Sequence, residues 1–227
     1  MYKVIITGTT GMVGEGVLHE CLNSPLISEV LIVNRRKSTF SNPKLKEIVH
    51  ANFKDITAIQ DQLKGYDACF FCLGVSSVGM DKQTYFDITY TLTLNFAEIL
   101  SKQNPQMTFC YVSGAGTDST EKGRLAWARV KGKVENDLQK LPFKAVYNFR
   151  PGMLEPTKGL QNTISLYRYV GWLTPVFRKL FPNSISTLQQ LGIAMISVVA
   201  HGFDKSILEV PDIKMAAGKL SPWKELT

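Results

Sequence analysis

Short apolar runs recur along the chain, and between them lie stretches with an apolar position every three or four residues. The runs read as strands: KVIITG (Lys3 to Gly8), EVLIVNR (Glu29 to Arg35), a shorter KEIVHANF, Asp67 to Leu73, MTFCYVSG and KAVYNFRPG. The intervening stretches read as helices over Val13 to Leu22, Asp55 to Leu63, Thr84 to Gln103 and the segment around Trp127 and Lys131. Strands apolar almost throughout suit a parallel sheet covered on both faces. Asn104-Pro105 closes the longest helix.

After Gly152 the rhythm changes. Leu166 to Phe181 and Leu188 to His201 predict helices, with a break at Pro175, and SILEVPDI predicts one more strand. No repeat, low-complexity tract or linker separates this part from the rest. The expected organisation is one domain over 1–227: a core over 1–150 and a small, mostly helical lobe over 151–227.

Composition fits that picture, with 44% hydrophobic and 20% charged residues in 227. The net charge of +7 suits an anionic ligand. Its cations are scattered and no zinc-finger spacing occurs, so no nucleic-acid role is expected. MYKVIITG is a strand and not a signal core, and Ile193 to Ala200 is too short an apolar run to span a bilayer. The expectation is a cytoplasmic protein without an integral membrane segment. Cys69 and Cys72 form a CxxC, but on a strand their side chains point to opposite faces. His19, His50 and His201 show no ligand spacing, and no metal site is expected.

The chemistry concentrates in TGTTGMVGEGV, directly after the first strand. Gly8, Gly11 and Gly14 give a tight turn, close approach to a pyrophosphate, and close helix–strand packing. Thr10, Met12 and Val13 share this loop, and the helix that opens here offers unpaired N–H groups to phosphates. At the end of the second strand a site for NAD usually carries an acid for the adenosine ribose, but here stand Asn34, Arg35 and Arg36. A guanidinium suits a 2′-phosphate, which favours NADP. Asn52 after the third strand, with Phe53, would border the adenine. Leu73 and Gly74 after the fourth would let backbone pass close to a ribose.

TGTTGMVGEGVL, LIVNRR, GAGTDS, VKGKVEN and NFRPGML together resemble the atypical short-chain dehydrogenase/reductases. The likeness is to the NADPH-binding Tat-interactive protein branch and to NAD-dependent epimerase/dehydratase-like proteins. It implies a Rossmann-type doubly wound sheet and NADPH binding, with Arg35 on the 2′-phosphate, Lys131 on the nicotinamide ribose, and Pro151 and Met153 close by. The superfamily's acid is a tyrosine four residues before its lysine, and that place holds Trp127, whose indole N–H lacks useful acidity. The helper hydroxyl would fall on Gly114 or Ala115, leaving Ser113 one or two positions early as the candidate beside Lys131. Tyr85 and Tyr147 are candidates to reach the cleft.

Two functions stay open at this stage. One is an NADP-dependent oxidoreductase acting on a small carbonyl or hydroxyl substrate. The other is a non-catalytic NADPH-binding sensor or interaction protein; isomerase or dehydratase chemistry is a third use of the fold. The aromatic, basic stretch from Tyr167 to Phe181 reads as a lobe helix over the substrate cleft, a homodimer face, or a partner or membrane surface.

Overall fold

The computed structural model describes residues 1–157, 159–162 and 183–220. The stretch Leu166 to Phe181, with its expected helix and break at Pro175, lies outside the described residues.

The elements in order are β1 (Tyr2–Thr7), α1 (Met12–Asn23), β2 (Ile27–Asn34), β3 (Leu45–Val49), a 3-10 helix (Thr57–Leu63) and β4 (Ala68–Phe71). A long helical stretch follows, made of α2 (Lys82–Phe86), a π segment (Asp87–Thr91) and α3 (Leu92–Gln103). Then come β5 (Thr108–Val112), α4 (Ala126–Leu138), β6 (Ala145–Arg150), β7 (Met153–Glu155), β8 (Ile185–Thr187), α5 (Leu188–His201), β9 (Ile207–Glu209) and α6 (Val210–Gly218).

Seven strands form one parallel sheet in the order β3-β2-β1-β4-β5-β6-β9. The order reverses between β1 and β4, and the crevice beyond their carboxyl ends is where such sheets bind ligands. Alternation along the strands splits the core in two. Val4 and Ile6 of β1, Phe70 and Cys110 pack with α1, α5 and α6 on one face. Ile5, Cys69, Phe71, Phe109 and Tyr111 pack with the 3-10 helix, α3 and α4 on the other. Cys69 and Cys72 do lie on opposite faces, with Cys72 packed against the α1 side. The doubly wound parallel sheet read from the apolar runs is borne out, and α5 spans the residues expected.

The departures have local causes. Asp55 accepts both the N–H and the hydroxyl of Thr57, at 2.9 and 2.7 Å, and this short-range bonding competes with a full α-turn. The segment is therefore 3-10. β3 stops at Val49, the partner of the last residue of β2. SILEVPDI divides: Ile207–Glu209 pairs with β6, and a proline in the first turn, with reciprocal capping by Glu209 and Asp212, starts α6. The pair β7-β8 was not foreseen, its strands being three residues each.

Candidate functional site

β1 delivers the chain to a turn at Gly8, where φ is +75°. A Cβ on Gly8 would stand 2.7 Å from the backbone of Cys72 and Leu73; one on Gly14 would stand 2.2 Å from the Gly8 carbonyl oxygen. These are backbone contacts that cannot yield, so only glycine lets β1, the end of β4 and α1 meet so closely. The N–H of Gly11 donates to Gly8 O at 3.0 Å, and Gly11 caps α1 without any side-chain hydrogen bond. The first-turn N–H groups are left without a side-chain partner, at the positive end of the helix.

A cavity of about 940 Å³ opens over this turn. Its walls bring together Gly8, Thr10, Gly11, Met12, Val13 and Gly14 with Asn34 at the end of β2, Arg35 just after it, Asn52 after β3, and Leu73 and Gly74 after β4. The structure does not bring Arg36, Ser113, Lys131, Pro151 or Met153 to those walls. Arg36 is exposed beside Arg35. Pro151 is buried and its carbonyl accepts the N–H of Ala115 at 2.9 Å, while Met153 lies in β7 with its N–H on Ser184 O.

Asn34 is buried and bonded on both sides of its amide. Its Oδ1 accepts the hydroxyl of Thr9 at 2.9 Å and its Nδ2 donates to Glu47 Oε1 at 3.0 Å. It is a neutral amide already bonded on both sides, not the carboxylate that an NAD site usually offers the ribose hydroxyls. Arg35 is exposed and lines the cavity.

Further along, Lys131 of α4 donates its ammonium to the backbone carbonyl of Ser113. Burial holds this lysine below the ordinary ammonium range, with the Glu135 carboxylate pulling the other way. The Ser113 hydroxyl points at the Glu135 carboxylate and at Phe149 O. Both contacts lie within the protein. Glu135 is also gripped side-on by Arg150, whose Nε donates at 3.0 Å and whose Nη2 donates to the second oxygen. Burial disfavours the Arg150 charge, but its bonds to Glu135 and Glu209 outweigh that and raise its pKa.

Trp127 lies one turn before Lys131, and its ring comes within 3.4 Å of where a Gly116 Cβ would be. The indole thus covers the loop after β5. Neither tyrosine candidate reaches the cavity walls. Tyr147 faces the α1-side core, where its hydroxyl accepts the Phe203 N–H at 3.0 Å; Tyr85 is buried.

Residues 4–122, more than half of the chain, match the model of the NAD dependent epimerase/dehydratase family. The chain belongs to that family. Among its relatives, Protein HTATIP2 of Rattus norvegicus is 30% identical over 156 residues, which is 67% of this chain and 62% of that protein. The match thus spans less than two thirds of that relative's length. Protein FMP52-1, mitochondrial, of Scheffersomyces stipitis is 28% identical over 170 residues, covering 72% and 74%. A short-chain dehydrogenase/reductase family oxidoreductase from Burkholderia thailandensis has the same fold, with a TM-score of 0.68 at 14% identity over 99% of this chain and 97% of that one. The resemblance drawn from the sequence motifs is borne out at the level of family and fold.

In this member of the epimerase/dehydratase family, sequence reasoning passed over several lining residues. Lys54 adds a cation to the wall, and Ile88 and Leu92 reach it from the π segment and the start of α3. π segments often mark functional sites, but nothing in ITYTLT announces one. Gln161 and Asn162 arrive because both carboxylate oxygens of Glu15, in the first turn of α1, accept their backbone N–H groups at 2.7 and 2.6 Å. Glu15 in GMVGEG was the only available signal. Among the described residues no helix is long and apolar enough to cross a membrane.

Proposed function

We propose that this chain binds NADPH in the cavity over the Gly8–Gly14 turn, as an atypical short-chain dehydrogenase/reductase. One observation carries the choice of NADP over NAD. At the end of β2 the cavity wall offers the Arg35 guanidinium, whereas Asn34 is spent on Thr9 and Glu47. A 2′-phosphate seeks a cation, which Arg35 supplies, whereas the ribose hydroxyls of NAD usually meet a carboxylate, and none is among the described lining residues there. The glycine turn fits a pyrophosphate: a Cβ would fill the cradle at Gly14, and the uncapped first turn of α1 supplies donors. Asn52 and Phe53 would flank the adenine, with Leu73 and Gly74 along the ribose. Lys131, beyond these walls, would hold the nicotinamide ribose, with Pro151 and Met153 beside it.

A bound nicotinamide would give a hydride to a carbonyl carbon when reduced, or take one from a hydroxyl-bearing carbon when oxidised, and the reaction in this reading is oxidoreduction of such a small compound. A second reading, a non-catalytic NADPH sensor or interaction protein, is favoured by Trp127. The indole stands in the place of the acid, the Ser113 hydroxyl bonds Glu135, and no tyrosine is among the described lining residues. The compartment in our reading is the cytoplasm; fractionation of cells decides between that and the mitochondrial designation of the fungal relative.

The test is calorimetric titration of the Arg35→Ala variant. Loss of one charge-assisted phosphate contact should weaken NADPH by roughly tenfold or more and leave NADH nearly unchanged. Unaltered NADPH affinity contradicts the assignment.

A further inference from the structure

We infer that Glu47, on the edge strand β3, is a positioning residue that fixes the turn carrying Arg35 and so sets the preference for a 2′-phosphorylated dinucleotide. The inference rests on the NADPH reading above and assigns its selectivity to a residue outside the cavity wall.

The geometry starts from register. Glu47 pairs with Ile32 and Val49 pairs with Asn34, so Glu47 sits two residues short of the end of β2. Its side chain reaches forward past that end. Oε1 accepts from Asn34 Nδ2 at 3.0 Å and from the backbone N–H of Ser38 at 2.8 Å. One carboxylate thus ties down both ends of the turn from Asn34 to Ser38. Asn34 in turn accepts from Thr9, inside the phosphate-binding turn, at 2.9 Å. A continuous chain of hydrogen bonds runs Thr9–Asn34–Glu47–Ser38 and joins the glycine turn to the basic turn.

Between the two anchors stand Arg35, Arg36 and Lys37, all exposed, and of these Arg35 lines the cavity. An unanchored turn with three long cationic side chains would lose much conformational entropy on settling around one phosphate. Holding Ser38 to a carboxylate makes part of that cost a cost of folding instead. Bonds to an ionised acceptor are the strong kind, so the anchor is a firm one. Burial works against the charge, but the hydrogen bonds from Asn34 and Ser38 outweigh it, with Lys37 adding to them, and hold the carboxyl below the ordinary glutamate range. Glu47 is not among the lining residues, so its influence passes through the turn.

The experiment compares the dissociation constants of NADPH and NADH for the full chain and for Glu47→Ala and Glu47→Gln. Glu47→Ala should weaken NADPH by about tenfold and NADH by less than about twofold. Glu47→Gln keeps one acceptor oxygen, and a loss for NADPH alone of roughly threefold is expected. If the alanine variant does not fold, the glutamine variant carries the comparison. An unchanged NADPH-to-NADH ratio, whether both affinities fall together or neither moves, overturns the inference. Failure of the underlying NADPH reading shows separately, in the unmutated chain, as binding of neither cofactor or as equal affinity for both.

Discussion

The ammonium of Lys131 donates to the backbone carbonyl of Ser113, and so α4 is joined to the end of β5 through the superfamily's lysine position. One turn earlier Trp127 covers Gly116 of the same loop. The two side chains act on one loop by different means, a charge and an apolar ring. Cofactor contact is the role our account gives to the first alone.

Replacement of the two residues should therefore diverge. Lys131→Ala should weaken NADPH by about tenfold, the loss of one charged hydrogen-bonding group. Trp127→Tyr, which recreates the tyrosine–lysine spacing, should change NADPH affinity by less than about twofold, because the ring packs over Gly116 and carries no charge toward the cofactor. Fluorescence titration of both variants checks this; the reverse order of effects contradicts it.

The buried pair Glu135–Arg150 should be a major stabilising feature only while both partners remain. Glu135 is 1% exposed, so its removal takes from the buried Arg150 guanidinium its two-oxygen partner and leaves it only Glu209 and Ser119. Glu135→Ala should cost about 3–5 kcal/mol in urea unfolding, the usual penalty for breaking such a pair. A loss near zero would show that Arg150 finds solvent or Glu209 sufficient.

Acid stability should depend on Asp137. Burial raises its pKa, but bonds from Lys133, Lys140 and Tyr90 outweigh that and bring it to about 2. A carboxyl lowered on folding contributes stability above its unfolded value, about 3.9, and loses it as pH falls through the folded value. Wild-type protein should therefore lose stability between about pH 4 and pH 2, and Asp137→Asn should flatten that part of the curve. Thermal melts across this range read the difference. Because Tyr90 follows Asp87 in the π segment, the same variant should loosen the contact between that segment and α4.

How much of this was legible in the sequence follows from where each interaction lives. The strands of the main sheet could be read because burial on both faces writes itself as uninterrupted apolar residues, as in VLIV and CFF. The glycine turn was legible because each glycine answers a local backbone demand, seen now at Gly8 and Gly14. Glu47 was not legible. On an edge strand with only Ile48 buried, an acid looks like an ordinary solvated residue, and its bond to Ser38 depends on how β2 and β3 pair. The same holds for Glu135 of α4, whose partner Arg150 arrives on β6. The partners of Ser113 were hidden for the same reason, because Glu135 and Phe149 are distant in sequence.

The most direct measurement is a calorimetric titration of the full chain with NADPH beside NADH under identical salt and pH. Our account predicts saturable binding of NADPH at one site per chain, tighter than NADH by about tenfold, the contribution of one guanidinium–phosphate contact. Binding of neither cofactor, or tighter binding of NADH, would contradict it.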